Sequence, residues 1–473
     1  MITFRLALHP ISHRRVACVL GLAVATCASV LPLKWAVPLV LGAPGVVALA
    51  VRPEWAVLAL PLLVPFTYQF SLTVGGFRLG LLDLALIAVT ALWLARSVAR
   101  RRLELRVDGL GVLLLLWLWI ILLSLLGSRS LSAGLSESFK WGEVILVYLV
   151  ARVLIGKNEL RFVVFSITIA GVVSALLGLF QFISGHGPES FVLFGRFMRA
   201  YGTFEQPNPF AGHLGLSLPF ALAWVVAGSD RPRWERLLML AATAVMGLSI
   251  LASWSRGSWL ALAIATALML ALLAPRLSLL ATSLVLLVML VMGGNVVESP
   301  LARRALGMGS DVRTLNVAQV ELTDENWSVV ERLAHWQAGW YMFAARPWLG
   351  VGIGNYEVVY PQYALPRWSD PLGHAHNYYL NVAAETGLIG LFAYGALGGA
   401  IALKTLSAWR HAKDSQARAL ILAAVGSLTY LSVHNLVDNL YVHGMQFLVA
   451  LGLVGVAVAS ASEGSEMKEA SIA

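Results

Sequence analysis

The sequence predicts an all-α polytopic membrane protein with about 12–14 transmembrane helices and one long outer-face loop carrying short helices. Of 473 residues, 59% are hydrophobic and only 12% charged, and the mean hydropathy is +0.77. A soluble chain of this length needs far more charge to cover its surface. The apolar residues also fall in long runs, without the alternation of a barrel strand. Crossing about 30 Å of hydrocarbon takes about 20 apolar residues, and they must be helical because lipid offers backbone groups no partners.

Fourteen apolar runs mark the candidate spans, near 16–33, 36–51, 55–74, 80–98, 109–127, 141–156, 160–184, 208–227, 236–253, 257–274, 277–295, 377–403, 417–437 and 444–461. Some are short or weakly separated, hence the range of 12–14. The first run follows basic residues, as in a signal peptide, but more spans come after it, so it reads as an uncleaved helix. Cys18 and Cys27 both lie in that run, which excludes a disulfide framework or a cysteine metal site. Arg15 stands where a lipidation signal at Cys18 would need an apolar residue.

The net charge of +9 arises from residues that flank the runs, so it points to membrane topology and not to nucleic acid. Basic blocks at 96–106 and 404–413 fall on one side with most of the Lys and Arg. The positive-inside rule then places both termini in the cytoplasm. Only 185–207 and 296–376 are sizeable non-membrane segments, and both fall outside. The second has an amphipathic helical pattern in NWSVVERLAHWQAGWYMFAARP and turn signals in GVGIGNY. Its Trp, Tyr and Leu content lets it pack. The division expected is 1–184 for the N-terminal spans, 185–403 for a core that includes loop 296–376, and 404–473 for the C-terminal spans and a short tail.

Three polar constellations reach that outer face: RAYGTFEQPN at 199–208, SWSRG at 253–257 and HAHN at 374–377. Arg256 stands between two apolar runs, where an arginine is expensive unless it is an interfacial anchor or binds an anion. Its guanidinium fork matches phosphate oxygens bidentately. Arg199 carries the same two readings. His374 and His376 could ligate metal on a strand. At i and i+2 on a helix they point apart, and no third ligand stands close in sequence. Histidine at an interface is either a satisfied structural residue or a general base.

Asn377, Asn381 and Glu385 follow at i, i+4 and i+8, a polar stripe that suits either a hydrogen-bonded ladder or a substrate groove. His434, Asn435 and Asp438 form a second stripe, able to orient His376 or to cap the bundle. Glu205 and Asp438 are the next candidates for a base.

YGTFEQPNPFAG, SWSRGSWLA, RPWLGVGIGNY and HAHNYYLNVAAETGLIG together resemble the O-antigen ligase and polymerase superfamily, over about residues 190–400. The order and spacing of the motifs carry the resemblance, and the flanking spans match only in hydrophobicity. It implies an integral membrane glycosyltransferase of the bacterial cytoplasmic membrane. Such an enzyme takes a glycan from undecaprenyl diphosphate on the outer face and transfers it to a lipid core, another glycan or a protein. It makes His376 the acceptor-activating base and Arg199 and Arg256 the diphosphate ligands, with Arg332 a fainter match. Asn377, Glu385 and Asp438 are supporting residues. No metal or other cofactor is expected, because two arginines could stabilise a diphosphate leaving group in its place. The family usually has about 12 spans, fewer than the upper count here. The rival classes are a flippase or transporter for lipid-linked oligosaccharide, which would place charges at the midplane, and a scaffold, which gives no reason for matched arginines and histidine.

Overall fold

A computed structural model describes residues 52–274 (except 68, 75, 76, 194 and 229) and 326–472, with single positions and one short strand beyond these bounds. Single positions aside, the runs near 16–33, 36–51 and 277–295, both cysteines and the 296–325 part of the long loop lie outside the described residues. Each of the other eleven runs falls on a helix.

In chain order these helices are α1 (Pro53–Leu63), α2 (Leu81–Ala99), α3 (Gly109–Ser124), α4 (Leu131–Leu154), α5 (Leu160–Ser184), α6 (Pro207–Ala227), α7 (Arg233–Ala252) and α8 (Arg256–Leu273). After the loop come α9 (Trp327–Ala345), the short α10 (Tyr356–Val359), α11 (Tyr378–His411), α12 (Ser415–His434) and α13 (Gln446–Ile472). Among the described residues, eight helices are long and apolar enough to cross a membrane. The protein is therefore an all-α polytopic membrane protein. Among the described residues, strands make three two-stranded antiparallel pairs: β1 (Ile2–Arg5) with β4 (Arg102–Leu105), β2 (Ser71–Val74) with β3 (Phe77–Gly80), and β5 (Val192–Leu193) with β6 (Phe197–Met198).

The run near 55–74 is not one span. Pro61 lies inside α1 and Pro65 inside the 3₁₀ turn that ends it at Phe66, and each removes a backbone donor. The chain then turns into the β2–β3 hairpin.

Helix starts follow their capping residues. Asp108, Ser130, Asn377 and Asp414 each accept a backbone N–H in the first turn of α3, α4, α11 and α12. At the centre α6 packs on α12. Gly215 leaves no Cβ, so the ring of Tyr430 lies directly on the α6 backbone. The Tyr430 hydroxyl donates to Ala211 O (3.0 Å) and meets Ser258 Oγ (2.8 Å), tying α6, α8 and α12 together. Without a hydrophobic drive between helices in lipid, such close approach and interhelical hydrogen bonds hold the bundle.

Helix α11 sets the direction of the site. Near its far end Lys404 pairs with Asp108 at 2.5 Å, and the Tyr148 hydroxyl donates to the same carboxylate at 2.9 Å. Its first turn lies at the opposite face of the bundle. Between the two ends the helix is broken at Gly387, which has φ 65° and ψ −163°. The turn segment 347–352 docks against the break: Val351 N–H donates to Ala384 O (2.9 Å), Gly352 N–H to Glu385 O (2.9 Å) and Leu388 N–H to Pro347 O (2.7 Å). The backbone groups freed by the break are satisfied by the long loop.

Candidate active site

Residues 372–376 do not belong to α11. Leu372, Gly373 and His376 all have positive φ (47°, 79° and 50°), and the helix begins only after its cap, Asn377. The expectation that His374 and His376 point apart along a helix is therefore overturned. Their rings meet edge to face with centroids 4.4 Å apart. Both imidazoles face one carboxylate: His376 Nδ1 is 3.6 Å from Asp438 Oδ1, and His374 Nε2 is 3.9 Å from the same oxygen. Asp438 comes from the loop after α12, 62 residues further along the chain, so no local spacing could reveal the pair.

The backbone of this turn is tethered at Ala375 and His376. His376 N–H donates to His374 Nδ1 (3.0 Å), Ala375 N–H to Asn381 Oδ1 (3.0 Å), and Trp336 Nε1–H to His376 O (3.1 Å). Asn377 Oδ1 accepts Leu380 N–H at 3.0 Å, and Glu385 Oε1 accepts Tyr356 N–H at 2.9 Å, where α10 starts. The stripe Asn377, Asn381, Glu385 is thus spent on backbone donors of the loop and the helix start. Asn435 is used in the same way, since its Oδ1 accepts Leu440 N–H (3.0 Å) and its carbonyl accepts Tyr378 N–H (2.8 Å).

Electrostatics separate the members of the cluster. Burial would raise the Asp438 carboxyl. The His376 imidazole facing it, with His374 and Arg332 nearby, outweighs burial and holds it well below the usual carboxylate range. His374 is pushed down to about 3 by burial and by the neighbouring His376 charge, against the opposing pull of Asp438. Asp438 is therefore a charged acceptor and His374 a neutral ring. Neither His376 ring nitrogen has a hydrogen-bond partner among the described residues, Nδ1 lying 3.6 Å from the Asp438 carboxylate.

The arginines approach the same cluster through short links. Arg332 on α9 donates from Nε to Val437 O (3.1 Å), the residue before Asp438, and from its guanidinium to Ser328 O (2.7 Å). Arg256, at the first turn of α8, reaches the Ser328 hydroxyl at 3.5 Å. Arg199 donates to Ser253 O (2.8 Å) and Asn208 Oδ1 (3.1 Å). Ser253 lies in the tight α7–α8 connection, where Trp254 takes φ 55°. Gly257 abuts the His434 ring at the end of α12. The three constellations and the start of α9 form one polar region beside the start of α11. Glu205 is exposed.

One buried histidine escaped the sequence reading. His335 on α9 stacks on Tyr360 (4.7 Å), sets its Nδ1 3.1 Å from the Tyr356 hydroxyl, and meets the His376 ring edge at 5.4 Å. Burial, with the His376 charge, pushes it down to about 4. The signal was available: Val330, Ala334, Ala338 and Met342 mark the buried face of an amphipathic helix, and His335 adjoins it.

His374, His376 and Asp438 place potential ligand atoms within 4.8 Å of one another, so a third donor does complete the histidine pair in space. The donor chemistry does not suit a metal in this arrangement. His374 Nδ1 accepts a backbone N–H and so carries no proton, which leaves the single proton of the neutral ring on Nε2. Nε2 is the atom that would have to ligate. A metal would need an imidazolate there, or a broken turn.

A family model described as O-antigen ligase matches residues 241–395, from within α7 to the middle of α11. Arg256, Arg332, His374, His376 and Glu385 lie inside the match, and Arg199 and Asp438 outside it. A comparison with curated proteins gives no match.

Proposed function

With its O-antigen ligase domain at 241–395, the chain belongs to the O-antigen ligase and polymerase superfamily of membrane glycosyltransferases, and we propose the donor, the site and the mechanism as follows. The enzyme moves a glycan from undecaprenyl diphosphate to an acceptor hydroxyl on the outer face of the cytoplasmic membrane, with both termini in the cytoplasm. His376 Nε2 takes the acceptor proton, Asp438 steadies the imidazolium through Nδ1, and Arg199 and Arg256 bind the diphosphate, with Arg332 between them and the base. Displacement of the diphosphate by the hydroxyl inverts the anomeric carbon. The developing negative charge is met by guanidinium groups in a site of low dielectric, so no metal or cofactor is invoked. Asn377 and Glu385 support the site by holding the turn and α10 in place. The acceptor is a lipid core, a glycan or a protein.

The observation that carries this reading is the linkage Arg199–Ser253, Arg256–Ser328–Arg332–Val437 and Asp438–His376, which joins four separate segments at the start of α11. A broken helix such as α11 is also a feature of transporters, whose unwound carbonyls bind ions at the midplane. Here the carbonyls of Ala384 and Glu385 are taken by Val351 and Gly352, which leaves that role unsupported. The test is release of undecaprenyl diphosphate from a labelled lipid-linked glycan by purified protein. His376→Ala should abolish release while donor binding persists. Native protein that moves the lipid across vesicles without cleaving it would favour the transporter.

A further inference from the structure

We propose that His374 is a positioning residue that holds His376 in its left-handed backbone conformation and fixes which ring nitrogen faces Asp438. The inference rests on the reading of His376 as the base and adds to it a second histidine that acts through the first.

His376 has φ 50°, a left-handed conformation that is uncommon for residues with a side chain, although histidine adopts it more readily than most. A contact that supports it comes from two residues earlier. His374 Nδ1 accepts the His376 N–H at 3.0 Å, closing a side-chain-to-backbone turn of the kind that Asn and Asp make two residues on. That bond also selects the tautomer of His374. With Nδ1 an acceptor, the ring proton sits on Nε2, which is directed at Asp438 Oδ1 from 3.9 Å.

Asp438 Oδ1 therefore faces the Nε2–H of His374 and the Nδ1 of His376, and it accepts Asn439 N–H at 2.9 Å as well. A carboxylate oxygen held this way presents a lone pair, never a proton, to His376 Nδ1. His376 then keeps its proton on Nδ1, 3.6 Å from that oxygen, and its free lone pair on Nε2. The ring contact at 4.4 Å limits rotation of His376 about its side chain. His374 lies against His376 and Asp438, where it can shape the base.

The two jobs of His374 sit on different atoms, and two substitutions divide them. In His374→Asn the amide oxygen overlays Nδ1 and can accept the His376 N–H, but nothing reaches Asp438. In His374→Gln the amide nitrogen overlays Nε2 and can face Asp438, but the turn acceptor is gone. We expect His374→Ala to lower kcat by about tenfold to a hundredfold, the loss of one or two buried hydrogen-bonding interactions. KM for the lipid-linked donor should stay within about twofold, since the arginines are untouched. His374→Asn should recover most of what Ala loses, and Gln should recover part. The charged and titratable groups around His374 are His376 and Asp438, with Arg332 and His335 from α9 and His434 from α12. The kcat–pH profile of His374→Ala should shift relative to native protein, because removing the ring takes away the Nε2–H that faces Asp438 and so changes the field around the base.

The measurement is steady-state release of undecaprenyl diphosphate by the full-length protein in detergent or nanodiscs, with His376→Ala run in parallel and gel-filtration profiles matched. If Ala, Asn and Gln at position 374 lose kcat equally with an unshifted pH profile, or if donor KM rises while kcat holds, the positioning role is wrong. Should His376→Ala retain transfer, it is the assignment of the base that fails, and the two failures are told apart by that one lane.

Discussion

Asp438→Asn is the perturbation that most directly tests the proposed chemistry. It changes one oxygen for nitrogen and removes a buried charge that faces His376 Nδ1 at 3.6 Å. As the acceptor hydroxyl gives up its proton, His376 becomes an imidazolium, and the carboxylate favours that charge. At an effective dielectric of about 20, a unit pair at this separation is worth about 4.6 kcal/mol. Partial replacement by water and by the amide dipole reduces the loss, so kcat should fall about 10²- to 10³-fold. The amide also has a second effect. If its N–H turns toward His376, that ring is driven to the tautomer with its proton on Nε2, which blocks the base, as in triads whose aspartate is replaced by asparagine. Donor binding should be nearly unchanged, because Arg199, Arg256 and Arg332 keep their links to Ser253, Ser328 and Val437. The assay is single-turnover release of undecaprenyl diphosphate beside equilibrium binding of the lipid-linked donor. Turnover within about threefold of native in Asp438→Asn, with His376→Ala inactive, would refute the carboxylate's role. Loss of donor binding in step with kcat would show that Asp438 holds the arginines and not the base.

Arg256→Lys should lose most activity although its charge is kept, because a lysine offers a point charge where a planar fork is proposed to grip two phosphate oxygens; native turnover in this variant would leave Arg256 as an interfacial anchor. Chelators should leave activity intact, since the proton on His374 Nε2 opposes metal at the one cluster of His and Asp; activity lost with EDTA and restored by a divalent ion would overturn the metal-free mechanism. The packing of the outer loop should weaken in acid. His335, 1% exposed, is held down to about 4 by burial, against an ordinary value of about 6.5, so its proton binds more readily once the loop opens. The folded state is therefore favoured above pH 6.5 and loses stability between 6.5 and 4, by about 2 kcal/mol at pH 5 from this one group. A melting temperature that stays flat from pH 7 to pH 5, or that drops equally in His335→Gln, would contradict this.

The spans were legible because lipid imposes length and polarity so strongly that hydropathy alone locates a helix. The eleven described runs needed no tertiary knowledge, and the one misjudged, near 55–74, failed where two prolines ended it. The proximity of Arg199, Arg256 and His376 was legible for a related reason: topology sends their segments to one face. Contacts between segments were legible only as alternatives. The stripe ending at Asp438 could orient His376 or cap the bundle, and Asp438 reaches His376 from a loop after α12. His335 does so from an amphipathic helix whose tertiary neighbours are Tyr356 and Tyr360. Periodicity describes one helix at a time and says nothing about which faces will meet. The stripe Asn377, Asn381, Glu385 shows the converse limit, since its spacing fits a substrate groove as well as the backbone ladder that it forms.

The HAHN turn also explains how a chain this apolar keeps a polar cluster near lipid. Several polar groups in the turn have internal partners: Ala375 and His376 N–H, His376 C=O and the Asn377 side chain are each bonded within the protein. An unsatisfied buried polar group costs about 1–3 kcal/mol, so leaving several open would threaten the start of α11. The break at Gly387 contributes to the same end. An α11 unbroken through this stretch would have no open carbonyls for segment 347–352, and Glu385 would lose its place at the start of α10. A side chain at 387 would also run into the backbone of Trp348. Glycine there lets the loop enter the bundle, and α9 and α10 then carry Arg332, His335 and Tyr356 to the polar region. The exceptions are the His376 ring nitrogens: Nδ1 faces Asp438 from 3.6 Å, and Nε2 is the atom for which the proposed reaction supplies a partner.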